Sequence, residues 1–365
     1  MSKPSETALK TLGTRARAIL PNRRARGPAI LALTLCLATA SVSPAIASEA
    51  ATSGFVMRNH APFAALVGVP GRWPDTTENF FDLTLNASSH SASERGDDSR
   101  VLTDGETHTL TGRLQWPIGK RFRIGAQLPW IQHSGGFMDS VIDSWHEVFG
   151  LNEGIRPLLE QDQLLYILQR NNVDLARIDD DVSGIGDMTV GLSAELGSFE
   201  RHAEPGTISG YFQRIPWRAT LNIKLPTGDI DKLTGSGNTD VALGLGWRSP
   251  PKTGAVFRWW ADAGVVFSGG VDIDTLDTQS QVYYYDTALT WRILRSLDAI
   301  VQFAGHSSLY DESWEILGEP SGQIAVGGLW HFTRSFSLRF GITEDLLAES
   351  APDFGIEISL IARRW

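Results

Sequence analysis

The chain has 365 residues, with 42 acidic against 32 basic side chains and a formal charge of −10, so bulk charge draws it to neither nucleic acid nor an anionic lipid surface. Its single cysteine, Cys36, excludes a disulfide framework within the chain and CxxC metal sites. Beyond the first 47 residues no apolar run approaches the roughly eighteen residues of a spanning helix.

Residues 1–47 read as a secretory signal peptide. Arg15, Arg17, Arg23, Arg24 and Arg26 precede an apolar run from Ala29 to Ala40, and Ala45-Ile46-Ala47 offers a small-x-small cleavage site. Arg23-Arg24 lacks the pattern that follows a twin-arginine signal. Cys36 follows Leu35, where a lipid-anchor site wants a small residue. Residues 48–78 hold short apolar runs cut by prolines, as in His60-Ala-Pro-Phe-Ala-Ala-Leu-Val-Gly-Val-Pro70.

From Phe81 the pattern changes to strict alternation. Phe81, Leu83, Leu85 and Ala87 share one face of an extended strand, against Asp82, Thr84 and Asn86. Leu110 to Trp116 and Phe122 to Trp130 repeat it, with Arg113 and Arg123 opposite. Residues 133–183 break the rhythm: Asp139–Leu151 and Pro157–Arg170 have helix-like spacing. Alternation resumes from Met188 to Leu196. It is clearest over Trp217–Leu225, where Trp217, Ala219, Leu221, Ile223 and Leu225 oppose Arg218, Thr220, Asn222 and Lys224. Similar runs follow at Val241–Trp247, Phe257–Phe267, Tyr283–Trp291, Leu297–Gly305, Ile324–Phe332, Phe336–Ile342 and Phe354–Leu360.

Charges in mid-strand cannot lie in a dry core. Strands of about ten residues, apolar on one face and polar on the other, are the unit of a transmembrane β-barrel. The fold class expected is therefore all-β: an antiparallel up-and-down barrel of about twelve strands over residues 79–365, with the long, partly helical loop at 133–183. Connections after even-numbered strands are mostly short, which puts both termini in the periplasm. Trp116, Trp217, Trp247, Trp259, Trp291, Trp330 and Trp365 then all fall near the periplasmic rim, at headgroup depth. Residues 48–78 are a periplasmic leader or a plug. One feature fits poorly: counting back by twos from Trp365 gives Arg363, Ile361, Ser359 and Glu357, and only a bulge near Ala362 would restore an apolar phase.

Several stretches resemble a proteobacterial outer-membrane family, domain of unknown function 3187. They are His60-Ala-Pro-Phe63 with Gly68-Val-Pro70, Asp139-Ser-Val-Ile-Asp-Ser-Trp-His146 leading to Phe149-Gly150-Leu151, Ser183-Gly-Ile-Gly-Asp187, and Lys224-Leu-Pro-Thr-Gly-Asp229 with Gly235-Ser-Gly-Asn-Thr-Asp240. The resemblance covers nearly all of residues 55–365. It implies an outer-membrane location and a barrel, and supplies no activity. Gly154-Ile155-Arg156 stands where the family pattern would have Gly-Gly-Arg.

The candidate functional residues follow from sidedness. Arg113, Arg123, Arg218, Arg258, Arg292, Arg339 and Asp262 are expected to line a pore, where charge would set selectivity. The competing arrangement pairs these arginines with Glu195, Asp298 and Glu357. The long loop would either narrow the lumen, with Asp139, Asp143, His146 and Arg156 at a constriction, or cap it from outside around Trp145 and Phe149. His306 and Ser308 form a His-x-Ser pair on a strand, but face the lumen, the wrong side for an enzyme acting on lipid. No metal pattern and no cofactor is expected. Gly184-Ile-Gly186 and Gly235-Ser-Gly237 read as turns rather than phosphate cradles. The expected function is a channel or transport pore for small solutes, against a non-transporting structural or surface barrel and, third, an outer-membrane enzyme. Its partners would be outer-membrane lipids, the barrel-assembly machinery and small solutes, with no nucleic acid.

Overall fold

The computed structural model describes residues 54–149, 160–198, 215–250, 255–347 and 350–363. The signal peptide, Arg156 and Trp365 lie outside these residues, as do the side chains of Trp145, His146 and Phe149. Fifteen strands form one sheet. They are β1 (Phe80–Arg95), β2 (Arg100–Ile118), β3 (Phe122–Ser134), β4 (Leu165–Arg170), β5 (Val173–Ile178), β6 (Val182–Ile185), β7 (Met188–Gly197), β8 (Trp217–Leu225), β9 (Asp240–Arg248), β10 (Phe257–Phe267), β11 (Gln281–Leu294), β12 (Leu297–His306), β13 (Ser321–His331), β14 (Phe336–Leu347) and β15 (Phe354–Arg363).

Twelve of them, β1–β3 and β7–β15, pair antiparallel with their neighbours, and β1 also pairs with β15, which closes the ring. A closed ring leaves no edge and satisfies every backbone group without water, the condition for crossing lipid with strands. Among the described residues no helix is long and apolar enough to cross a membrane.

Sidedness decides the environment. On β8 the alternate residues Arg218, Asn222 and Lys224 are 4%, 4% and 2% exposed, while Leu243 on the neighbouring strand is 47% exposed. The apolar face therefore looks outward and the charged face inward, the reverse of a soluble barrel. Leu83, Leu85, Leu110, Leu128, Leu289 and Ile358 continue the outward band. Trp116, Trp217, Trp247, Trp259, Trp291 and Trp330 lie near strand ends at one and the same end of the barrel, and Trp217 and Trp247 meet with centroids 5.4 Å apart.

Three expectations are corrected. Of the stretch Pro157–Arg170, the described part is not helical: Leu165–Arg170 is strand β4, added to the outer end of β2 and turned into β5 by Asn171-Asn172. Both asparagines have positive φ, 49° and 59°, the turn geometry that joins tight hairpins, and local turn chemistry overrides the helical spacing. Second, the poorly fitting phase at the C-terminus stands without the bulge that could have rescued it: β15 pairs with β1 through Arg363 and with β14 through Ala362 without a register shift, and Glu357, Ser359 and Ile361 face inward. Third, the inward face is not polar throughout. Phe80, Trp260, Ile300, Leu329 and Ile361 point inward and are buried against Phe55 and Met57.

Within the long connection, α1 (Asp139–Phe149) lies on the outside of the barrel wall. Its Met138 and Ile142 side pack on Phe354, Ala87, Ile342 and Ile356, all of outward phase. The carboxylate of Glu106 receives the N–H groups of Phe137 and Met138 at 2.7 and 2.5 Å, a negative charge on a helix start.

Candidate functional site

The lumen is occupied by the chain itself. From Phe55, beside Gln302 at mid-barrel, the inner segment rises to the outer end, turns over through the 3-10 turn Ala64–Leu66, and descends to β1. An irregular segment inside a barrel has no ladder partner, so its backbone groups must find side chains. They do. Phe55 N–H donates to Gln302 Oε1 at 2.7 Å and Val56 N–H to Glu357 Oε2 at 2.8 Å. Tyr310 Oη donates to Phe63 O at 2.6 Å, Lys224 Nζ to Leu66 O at 2.7 Å, and Gly68 N–H donates to Asp240 at 2.7 Å. Arg113 donates to Arg72 O at 2.9 Å, Arg218 to Trp73 O at 2.7 Å, and Arg123 to Thr76 O. The polar inward residues of the wall thus stand where water would in an open pore.

The arginines expected to line a pore face inward, and each takes a carboxylate. Arg123 meets Glu195 at 3.0 Å; Arg258 and Arg292 share Asp298 at 2.5 and 3.1 Å; Arg339 meets Glu357 at 2.5 Å; Arg113 pairs with Asp82. Arg218 reaches Asp75 at 2.9 Å and Asp262 at 3.2 Å. The same two carboxylates hold Arg72 of the inner segment, whose guanidinium lies 4.0 Å over the Trp260 ring. Burial opposes the charge on Asp75, but Arg72, Arg218 and Arg248 outweigh it and hold its carboxyl well below the usual range. Arg72 is raised in turn: burial works against it, and Asp262 and Asp75 prevail.

Trp73 shows how local sequence shapes the wall. Its indole lies across Gly125 and Gly191, cross-strand partners on β3 and β7, and donates to Asn222 Oδ1 at 2.6 Å. A Cβ on Gly125 would sit 2.6 Å from the ring, and one on Gly191 2.4 Å. Two inward glycines in register make the seat.

At the outer end two of the motif stretches meet. Asp187 accepts from Gly228 and Ser236 N–H at 3.0 and 2.9 Å, tying the loop between β8 and β9 to the start of β7. Lys224 sits between Asp187 and Asp240 at 3.2 and 3.0 Å. Gly228 and Gly235 touch closely enough that a Cβ on either would clash with backbone, which makes them packing glycines. Beside them Thr107 bridges His133 Nδ1 at 2.9 Å and His90 Nε2 at 3.1 Å, with His133 Nε2 on Leu233 O at 3.3 Å.

The other candidates are dispersed. Asp139 accepts Asp162 N–H and Asp143 accepts from Gln161, both on the outward side with α1, so neither carboxylate meets the lumen. Nothing is described of Arg156 or the His146 side chain. His306 bonds Asn59 and Ser307 O, whereas Ser308 donates to Tyr310 O, so the two do not form a nucleophile–base pair. Among the described residues no metal-holding group of His, Cys, Asp or Glu occurs. Missed by sequence reasoning were the inner-segment residues Arg58, His60, Arg72, Trp73 and Asp75; an Arg-Trp-Pro-Asp stretch after so apolar a run was the available signal. His60 Nε2 is buried without a hydrogen-bond partner among the described residues, and burial, then the charge of Arg58, pushes its pKa down to about 3.

No curated protein matches the chain. Among solved structures it is similar to the COG4313 outer membrane channel from Pseudomonas putida F1, with 12% identity, TM-score 0.50, and coverage of 80% of this chain and 100% of that one. It is less similar to the NanC porin, at 6% identity and TM-score 0.42 over 78% of this chain and 100% of that one. The Ralstonia pickettii toluene transporter TbuX matches at 10% identity and TM-score 0.37 over 89% and 98%. At such identities the likeness concerns fold alone, and only the first is close enough to support the barrel. The sequence signature described as Protein of unknown function (DUF3187) matches residues 30–363, and the chain belongs to that family.

Proposed function

We propose that this protein is an outer-membrane channel for small solutes, held shut by its own residues 54–78. The observation that carries the reading is how those residues are held. Most of their backbone anchors are hydrogen bonds to wall side chains, and an anchor of this kind exchanges for water at a net cost of about 1–3 kcal/mol each, the higher part where a charged side chain takes part. A barrel meant to be solid would be filled more simply by large apolar side chains. Arginines outnumber carboxylates at the periplasmic end, where Arg258 and Arg292 share one Asp298. That imbalance supports a preference for anions. The chain would be inserted by the barrel-assembly machinery, with outer-membrane lipid as its solvent, and the reading assigns it no catalytic role, cofactor or nucleic-acid partner.

A second reading has its own support: the dry cluster of Phe55, Met57, Trp260 and Ile300 suits a permanently filled, structural barrel. Planar-bilayer recordings separate the two. The channel reading expects brief openings from the full chain and steady, larger conductance after deletion of residues 54–76. Absence of conductance from a deleted protein that still migrates as a folded barrel would leave the structural reading standing.

A further inference from the structure

Helix α1 crosses the strands of the wall rather than following one. Its start is held over β2, where Glu106 takes the N–H groups of Phe137 and Met138 and the Phe137 ring meets His108 with centroids 5.9 Å apart. Met138 and Ile142 then pack on Ala87 of β1, Phe354 and Ile356 of β15 and Ile342 of β14. The strand register puts His108, Ala87, Ile356 and Ile342 in one cross-strand row. The row two residues nearer the periplasm, made of Leu110, Leu85, Ile358 and Phe340, is bare, each residue between 42% and 47% exposed. Toward the outer end the outward chemistry changes. On β1 it passes from Leu83, Leu85 and Ala87 to Ser89 and Ser91, and on β2 from Leu110 to Glu106 and Asp104. The helix therefore lies along the line where the apolar band of the wall ends.

Residues four apart share a face of a helix. Met138 and Ile142 take the wall. Phe137, just before the helix, and Val141 form one flank, apolar and 63% and 51% exposed. Asp139 and Asp143 form the opposite flank. They accept from Asp162 N–H and Gln161 Nε2, residues that lead into β4. Leu165, the first residue of β4, pairs with Asp104, beyond Glu106 toward the outer end of β2. The acidic flank thus faces the outer end, and the apolar flank faces the bare row. Ser140 and Ser144, both exposed, point away from the wall. One open flank that is apolar, with polar residues on the other open sides, suits the plane where acyl chains meet headgroups; it suits neither water alone nor the hydrocarbon core.

We propose that α1 is an interfacial helix of the outer leaflet. Phe137 and Val141 rest on lipid acyl chains, and Asp139 and Asp143 stand among the headgroups and water. The flank is continuous with the lipid-facing row directly below it, so one lipid layer covers both. The helix marks the upper edge of the hydrocarbon on strands β2, β1, β15 and β14. This goes beyond the channel reading: it rests on the barrel standing in a bilayer and is independent of conduction.

The test places single fluorophore-labelled cysteines in the full chain, with Cys36→Ser removing its one native cysteine, in bilayer nanodiscs. Two quenchers are compared, a nitroxide on the upper acyl chain of the lipid and iodide in the water. Val141→Cys and Phe137→Cys should lose roughly half of their emission to the nitroxide and little to iodide, as befits a flank about 5–10 Å into the headgroup–acyl boundary. Ile358→Cys, in the bare row, should behave likewise, and Asp180→Cys, exposed beyond β5, should show the reverse. The proposal is overturned if the Val141 and Phe137 labels are quenched by iodide as strongly as Asp180→Cys, which would put the flank in water. It is equally overturned if neither quencher reaches them, which would put the flank under protein, a second copy included. Either result beside a nitroxide-quenched Ile358→Cys removes the lipid contact of α1 alone. An Ile358→Cys label untouched by the nitroxide would take the membrane reading of the wall down with it.

Discussion

The seat of Trp73 offers the sharpest test of how the inner segment is held. Gly191→Ala would place a methyl 2.4 Å from the indole Nε1 and 2.9 Å from Asn222 Oδ1. Neither can give way cheaply, because Trp73 is 4% exposed and its ring also rests on Gly125. Overpacking of this kind costs about 1–3 kcal/mol, and losing the Trp73–Asn222 hydrogen bond adds about 1 kcal/mol. The seated segment should therefore lose about 2–4 kcal/mol, which at 1.4 kcal/mol per tenfold raises the displaced population roughly thirty- to several-hundred-fold. Hydrogen exchange read by mass spectrometry on peptides from residues 54–76 measures that population directly. Protection should fall by the same factor in Gly191→Ala, while peptides from β8 and β9 stay protected and the barrel still migrates as folded. Gly112→Ala is the control, because a Cβ there meets nothing within 4 Å. Unchanged protection over residues 54–76 in Gly191→Ala would refute the idea that Trp73 is a principal anchor.

Other consequences concern charge. His60 is neutral when seated, with a pKa near 3, and regains about 6.5 when displaced, so the seated state binds fewer protons and loses stability as pH falls below 6.5. At pH 5, in buffer free of carboxylates, the loss is about 2 kcal/mol, and protection over residues 54–76 should drop by roughly thirtyfold relative to pH 7; His60→Gln, measured beside it with His306 intact, should flatten that slope. Asp75 acts in a lower window: its depressed carboxyl stabilises the seated segment above the usual carboxylate range, and this is lost only as pH falls through its lowered value. Lys224→Met should destabilise more than Arg72→Met, by urea or thermal midpoint. Arg218 remains beside Asp75 and Asp262 in the second variant, whereas no other described cation contacts Asp187 or Asp240 in the first, where a broken buried pair costs about 3–5 kcal/mol. Thr107→Val removes the hydroxyl that His133 Nδ1 and His90 Nε2 share and should lower the thermal midpoint, while Thr107→Ser, which keeps the hydroxyl, should stay near wild type.

These predictions share one physical theme. The wall has two solvents, lipid outside and its own chain inside, and the inner one alternates charged clusters with apolar ones. Arg72, Trp73 and Asp75 lock the end that carries the tryptophan rim, where Arg218 touches Trp73 O and Asp75 and Arg113 touches Arg72 O. Phe63, Leu66 and Val67 pack under the outer loops with Tyr310 and Leu317.

Strand number, sidedness and the aromatic rim were legible along the chain because each is a local, period-two property: Leu221 and Arg218 declare their faces whatever lies across the barrel. The even count of strands and the short turns followed from the same periodicity. The path of residues 54–78 was not legible, because an irregular segment carries no period, and its anchors to Gln302, Glu357, Asp240 and Lys224 span hundreds of residues. Pairing was legible in part. Sidedness put Glu195, Asp298 and Glu357 on the arginines' face as the alternative partners, and all three are used; that Arg123 meets Glu195 and also Thr76 O depends on how strands stagger around the ring and on the inner segment. The inward Trp260 and Ile361 broke the expected polar face for the same reason: a position's phase says which side it faces, and only the closed barrel decides whether water or Phe55 is waiting there.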